Sequence, residues 1–540
     1  MPIDKPIPEP VRTAPGAPQI WLLWLIALSG VLLALSFPNE LLPGAWRDHP
    51  PALLGWVALI PLLWGVLFLP PRYARRATWA YGLLFALCTV SWMRLFTVLP
   101  WMLLALYLSL TPLLAVWLTQ MMRLPRWLMP LGFALLWTGG EWLRGQGIFG
   151  FAWSEIGMSQ IDGLAGRLAA LGGTHLITFL MLWTTGSILV AISDPETPRW
   201  LAPVAAWVLA IALVGGFLQS AQAVTRWPVN GSSTAMTVSV IQPNTLRGLT
   251  PEALVTDLSP EELQRRVNVT LDLTRQSAQT VTPFTPGLLQ TRPTPHLVVW
   301  PESSLTIPPY CYPQIMQTLY TTGSHLLAGA PLWVTRPDGP HIQNAAYLLT
   351  PSGNIDATYQ KVHLVPFGEF VPLRALVVNM LHFTVRDTDI IPGAGHLPLS
   401  LGPHRFGVGI CFESSMPEIS REYANRGARM LIFITNDAWF HETSAVCQHL
   451  NQARFRALET GLPVARAANT GISAFIAPDG QVLEEIPVYT TGYRTRAFPD
   501  STPGTLYTYF GWLTGPLCLG CGLILVIMGI IRHRRNGYVV

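Results

Sequence analysis

The chain has 540 residues, of which 50% are hydrophobic and only 12% charged, with a formal net charge of +4. An average soluble domain carries about 25% charged residues, so a large part of this chain faces something other than water. A charge this small, with arginines in short clusters beside apolar runs, excludes a nucleic-acid partner. Six scattered cysteines, with no CxxC pair of the kind that holds zinc, give neither a disulfide framework nor a structural zinc site. Cys88, Cys518 and Cys521 lie in apolar runs, where a thiol is a small hydrophobe. The sequence leaves open whether Cys311 and Cys447 pair.

In chain order, the Pro-rich residues 1–19 read as an unstructured cytoplasmic tail. The first apolar run, Ile20 to Ser36, follows Lys5 and Arg12 as a signal peptide would, but further apolar runs come at once and no small-residue cleavage site is evident. It is therefore read as a retained membrane helix. A helix needs about 20 apolar residues to cross a bilayer, and by that rule there are about eight spans. They cover residues 20–37, 51–70, 77–93, 99–119, 127–143, 168–192, 200–218 and 511–531.

Basic residues in short loops mark the cytoplasmic side. Lys5, Arg12, the group Arg72, Arg75 and Arg76, then Arg123, Arg126, Arg199, Arg532, Arg534 and Arg535 all fall on one side of an eight-span chain, while the other receives chiefly Arg47, Arg94, Arg144 and Arg167. The expected organisation is a cytoplasmic tail (1–19), seven transmembrane helices (20–229), an extracytoplasmic domain (230–505), and an eighth helix with a cytoplasmic tail (506–540).

The insert has the signals of a mixed α/β domain. β-rich runs occur at Thr237–Ile241, His296–Trp300, His325–Ala328, Ala346–Thr350, Phe406–Ile410, Met430–Ile434 and Gly471–Ile476. Pro351-Ser352-Gly353-Asn354 and Pro478-Asp479-Gly480 read as turns, and Glu261–Gln279 and Ser444–Thr460 have helical composition.

Three strand ends or adjoining loops carry chemistry. Cys411 follows the apolar run Phe406–Ile410, Glu302 follows Val299-Trp300-Pro301, and Lys361 opens Lys361-Val362-His363-Leu364-Val365-Pro366-Phe367-Gly368-Glu369. A rigid sheet can hold a nucleophile both fixed and accessible at a strand end. A partly buried carboxylate can shuttle protons, and an ammonium lowers a nearby thiol pKa and stabilises an oxyanion.

Glu, Lys and Cys in this order resemble the triad of the nitrilase superfamily of carbon-nitrogen hydrolases. The resemblance continues through Leu431-Ile432-Phe433-Ile434-Thr435-Asn436-Asp437-Ala438-Trp439-Phe440, Gln448-His449, Arg456-Ala457, Glu459 and Arg466-Ala467-Ala468-Asn469-Thr470-Gly471. In the membrane half, Glu141-Trp142-Leu143-Arg144-Gly145, Gly150-Phe151-Ala152-Trp153 and Ser159-Gln160-Ile161-Asp162-Gly163 resemble the segment that apolipoprotein N-acyltransferases carry between their fifth and sixth spans.

The resemblance implies a multi-pass α-helical membrane domain bearing a periplasmic nitrilase-like α-β-β-α sandwich, in a bacterial inner membrane. It implies catalytic residues Glu302, Lys361 and Cys411, with Glu369 and Glu413 as further functional acids. It also implies a phospholipid acyl donor, a diacylglyceryl-lipoprotein acceptor, and no cofactor or metal. Two positions depart from the family pattern. Phe412 stands where the family has tyrosine, so the oxyanion role is expected from its backbone N–H, and no tryptophan occurs in Gln242-Pro243-Asn244-Thr245-Leu246-Arg247-Gly248. Glu141 and Arg144 either pair or meet a lipid headgroup. A membrane-anchored amidase and a transport protein are the competing readings; a soluble amide would need at most one anchoring helix, and the spans show few of the buried charges of a transporter.

Overall fold

The computed structural model describes residues 20–225, 235–245, 259–281, 295–337, 339–372, 374, 390–499, 501–502 and 504–536. The tail 1–19 with Lys5 and Arg12, and Leu246-Arg247-Gly248 of the motif after the first strand, lie outside the described residues.

Helices occupy each of the eight apolar segments: α1 (Ile20–Ala34), α2 (Leu53–Phe68), α3 (Pro71–Thr89), α4 (Val98–Met122), α5 (Met129–Arg144), α6 (Ala169–Ser193), α7 (Leu201–Thr225), and a last one after the α/β region. Four helical stretches, Val98–Met122, Leu164–Ser193, Leu201–Thr225 and Leu506–Arg535, are long and apolar enough to cross a bilayer, which marks the chain as a membrane protein. α7 turns Trp207, Ile211, Val214 and Phe217 outward, each more than half exposed, as a helix facing lipid does.

The α/β region is built from β1 (Ala235–Gln242), α8 (Pro260–Gln279), β2 (His296–Val299), α9 (Pro313–Thr322), β3 (His325–Arg336), β4 (Gly339–Leu349), β5 (Ile355–Gln360), β6 (Leu399–Leu401), β7 (His404–Ile410), α10 (Pro417–Asn425), β8 (Met430–Thr435), α11 (Ala445–Thr460), β9 (Val464–Ala468), β10 (Ser473–Ile476), β11 (Val482–Ile486) and β12 (Gly492–Pro499), followed by α12 (Leu506–Phe510) and α13 (Thr514–Asn536). The strands form two six-stranded sheets, β12-β1-β2-β3-β4-β5 and β11-β10-β9-β8-β7-β6.

Period-two side-chain alternation decides how the sheets stack. In β2, Leu297 and Val299 join β7, β8 and β9 in one core between the sheets, while Val298 points the other way onto α8 and α9, beside Val267, Leu271 and Ile315. α10 and α11 cover the second sheet through Ile419, Tyr423, Val446 and Ala453. Each large apolar side chain so buried is worth about 1.5–3 kcal/mol before conformational entropy is counted. Helix, sheet, sheet and helix layers give the sandwich expected from the sequence.

The segment between α5 and α6 joins the two halves. Trp153 Nε1 donates to Gln448 Oε1 of α11 at 2.7 Å, and Gln448 Nε2 donates to the carbonyls of Pro38 and Thr89 at 2.9 and 3.0 Å. Glu141 and Arg144 are both buried. Glu141 accepts from Trp137 Nε1, Ile156 N and Thr178 Oγ1 at 2.8–3.0 Å, and Arg144 donates to the Trp153 carbonyl at 2.9 Å. They hold this joining segment in place. All six cysteines are free, Cys311 and Cys447 included.

Candidate active site

Glu302, Lys361 and Cys411 each leave the C-terminal end of a strand, from β2, β5 and β7. Backbone geometry fixes their approach. Cys411 has φ +54°, a conformation uncommon for a side-chain-bearing residue, at the corner where β7 passes into a short 3₁₀ turn, Cys411–Ser415. Beneath Glu302, a Cβ on Gly329 would lie 2.7 Å from the Glu302 Cα and from the Pro301 carbonyl oxygen, so only glycine lets β3 pass there.

The lysine is 1% exposed and lies between two carboxylates. Lys361 Nζ is 2.9 Å from Glu369 and 3.7 Å from Glu302 Oε1. Asn344 Nδ2 bridges the same two acids, donating to Glu302 Oε1 at 2.7 Å and to Glu369 Oε1 at 3.1 Å. The other Glu302 oxygen accepts from the Asn436 N–H at 2.9 Å, and Glu369 Oε2 from the Val365 N–H at 2.8 Å. Every acceptor of the pair thus has a donor, as buried charges require.

The electrostatics follow from burial and neighbours. Burial raises the Glu302 pKa above the usual carboxylate range, against the opposing pull of Lys361, and Glu369 adds to the rise. Burial would lower the lysine, but Glu369 and Glu302 overcome it and keep the ammonium charged. The sequence suggests an ammonium that lowers the thiol pKa, and Lys361 does pull in that direction. Burial, reinforced by Glu302, outweighs it and pushes Cys411 well up. Burial therefore favours the neutral thiol of Cys411 over a preformed thiolate.

Glu413 is fully buried and accepts from four donors: the Tyr359 hydroxyl, 2.8 and 2.9 Å from its two oxygens, and the N–H groups of Val362, His363 and Ile410 at 2.8, 3.1 and 2.8 Å. It ties the lysine loop to the cysteine corner, which makes it a positioning residue. Phe412 stacks on Phe151 of the joining segment, ring centroids 6.1 Å apart.

Behind the cysteine lies a cluster whose roles the sequence motifs leave unassigned. His449 Nε2 donates to the Cys411 carbonyl at 3.1 Å, while its Nδ1 lies 2.9 Å from Asp437 Oδ1. Arg466 pairs with the other Asp437 oxygen at 2.7 Å. Burial opposes the Asp437 charge, but Arg466 and His449 override it and hold the carboxyl well below the usual range. Asn344 goes unnoticed in the sequence because it lies in the polar half of β4; its one signal is an amide in a strand that leads back toward the Glu302 end of the sheet.

Comparison with known proteins gives a consistent picture. Residues 291–502 match the carbon-nitrogen hydrolase family, and residues 29–187 match the apolipoprotein N-acyltransferase N-terminal domain. An apolipoprotein N-acyltransferase of Geobacter metallireducens is 30% identical over 94% of this chain and 95% of its own length, and one of Ralstonia nicotianae 32% identical over 95% and 94%. An amidase from Nesterenkonia sp., of known structure, is 21% identical over 52% of this chain and 95% of its own, with a TM-score of 0.35. With both halves matched in order and relatives 30% and 32% identical over nearly their whole length, the chain belongs to the apolipoprotein N-acyltransferase family and is an acyltransferase.

Proposed function

We propose that Cys411 takes a fatty acyl group from a phospholipid as a thioester and passes it to the α-amine of the diacylglyceryl-cysteine at the N-terminus of a lipoprotein. The observation that carries the reading is a buried Glu302–Lys361–Glu369 cluster whose charges bear on a thiol held at a positive-φ corner. In the first half-reaction Glu302 takes the thiol proton and the sulfur attacks the ester carbonyl. The Lys361 ammonium and the Phe412 N–H hold the tetrahedral oxyanion. Its collapse breaks the C–O bond, and Glu302 returns the proton to the leaving lysophospholipid oxygen. In the second, the amine attacks the thioester, Glu302 accepts a proton from it, and the amide forms as the C–S bond breaks and the Cys411 thiolate leaves, taking that proton back from Glu302.

The membrane half supplies what a hydrolase triad needs to work as a transferase: both substrates live in lipid, and a site at the bilayer surface concentrates acceptor while limiting water. Eight spans in a bacterial inner membrane, with residues 230–505 on the periplasmic side, fit the arginine distribution. The test of the function is incubation of the purified full-length chain with phospholipid and a diacylglyceryl lipopeptide. A product heavier by one acyl chain on the α-amine is expected; lipopeptide left unmodified while phospholipid is hydrolysed would refute the transferase reading. Topology is checked by labelling introduced surface cysteines of 230–505 in cells with the outer membrane permeabilised. Labelling only after the inner membrane is opened contradicts the placement.

Phe412→Tyr keeps the ring on Phe151 and the backbone N–H in place, so acyl transfer by this variant is expected to stay close to wild type. Losing an oxyanion donor costs roughly a hundredfold to a thousandfold in rate, so a drop of that size would mean the Phe412 side chain has a different role.

A further inference from the structure

Two histidines that acyl transfer leaves unused converge on Glu413. His363 lies two residues past Lys361, and His396 lies in the run leading into β6; their rings stack with centroids 5.7 Å apart. Each turns one nitrogen toward a glutamate of α10. His396 Nδ1 is 3.1 Å from Glu422 Oε2, and His363 Nε2 is 3.9 Å from Glu418 Oε1. The remaining nitrogens, His396 Nε2 and His363 Nδ1, are buried without a hydrogen-bond partner. His396 is only 7% exposed, and its free nitrogen lies 3.9 Å from Glu413 Oε1. One ring nitrogen of each histidine and a Glu413 oxygen all fall within 4.8 Å of one another.

His396 thus has a carboxylate on each side, Glu422 at Nδ1 and Glu413 at Nε2, and the 3.9 Å between Nε2 and Glu413 Oε1 is too long for a hydrogen bond. A metal ion held between that buried nitrogen and the Glu413 oxygen would give both a partner. A carboxylate behind a histidine is also the usual outer support of a metal-binding imidazole, fixing tautomer and ring orientation.

We infer that His363, His396 and Glu413 form a binding site for a divalent transition metal. Two imidazole nitrogens and one carboxylate oxygen suit zinc and its neighbours better than magnesium or calcium, which take oxygen ligands. Zinc–nitrogen bonds of about 2.0–2.1 Å require the donors to draw together, and the partly exposed His363 ring has the freedom to do so. Glu413 Oε1 already accepts three hydrogen bonds, of which the longest, from His363 N at 3.1 Å, is the one the metal would weaken. A bound metal would add a tie among the lysine loop, the lead into β6 and the cysteine corner.

The test uses the full-length Cys411→Ala chain in detergent, so that the thiol cannot compete as a ligand, stripped by a chelator and titrated with Co²⁺. One equivalent is expected to bind with a visible d–d absorption and no thiolate charge-transfer band, and to be displaced by Zn²⁺. His363→Gln and His396→Gln together should abolish it. Glu422→Gln, on the partly exposed side of α10, should weaken it by about 10–100-fold; this variant carries the test if the double variant unfolds. Absence of stoichiometric Co²⁺ binding, or binding that survives both histidine substitutions, overturns the inference.

Discussion

Cys411→Ala is expected to abolish both half-reactions, lowering acyl transfer by roughly a millionfold, the scale on which loss of a triad nucleophile lowers kcat. No other group in the cluster can form the thioester: Glu302, Glu369 and Glu413 are engaged by the donors described above, and Lys361 is held as an ammonium between two carboxylates. The substitution is mild for the fold. Alanine tolerates the positive φ of position 411 no worse than cysteine, and the Ile410 N–H, the Tyr359 hydroxyl and the lysine loop keep their anchor on Glu413. Turnover of phospholipid and lipopeptide, measured beside the thermal melt of the same preparation, checks it. An unfolded variant would show in the melt; residual transfer within a hundredfold of wild type would mean that the nucleophile lies elsewhere.

Glu302→Gln is expected to cost about a hundredfold to ten-thousandfold, the usual contribution of a positioned proton shuttle. The carboxamide is not silent here. The fixed Asn436 N–H claims the one remaining oxygen, which turns the new NH₂ toward Asn344 Nδ2 and the Lys361 ammonium, donors facing donors. Asn344 cannot simply flip, because its NH₂ also serves Glu369. The pH profile separates the base from a merely structural residue. The active form is the ionised carboxylate, and burial places the Glu302 pKa above the ordinary range, so wild-type kcat/KM should be full above that raised pKa and fall as pH drops through it. The acid limb should lie above about 4.3, the value of an unperturbed glutamate, and Glu302→Gln should flatten it. An unchanged limb in the variant would assign the titration to another group.

Much of the sandwich was legible because its central strands are continuous apolar runs with abrupt ends. His296–Val299, Phe406–Ile410 and Met430–Thr435 are buried on both faces and stop at Trp-Pro-Glu, Cys and Asn. α8 and α11 stood out by length and composition and begin within one residue of expectation. The outer strands did not stand out. β5, β11 and β12 carry Asp356, Glu484, Glu485, Arg494 and Arg496 on half-exposed faces. The distal halves of β3 and β4 form an exposed hairpin whose polar residues read as loop. Their strand state comes from non-local pairing, such as β12 against β1, which no local pattern announces.

In the site, the order of Glu, Lys and Cys was readable, and the structure brings their strand ends together. The reach of Glu413 was not, because its partners are backbone N–H groups about 50 residues away in the chain. The sign of the thiol shift was also hidden: a sequence places a lysine near a cysteine but not the depth at which both are buried, and depth decides the outcome.

The most direct test of the account is the intact mass and peptide map of the full-length enzyme after incubation with phospholipid and no acceptor. One added acyl mass on the peptide carrying Cys411 is predicted, removed by neutral hydroxylamine as a thioester is and discharged when a diacylglyceryl lipopeptide is added. An unmodified Cys411 in a preparation that still acylates the lipopeptide, or an acyl group mapped to any other residue, would contradict it.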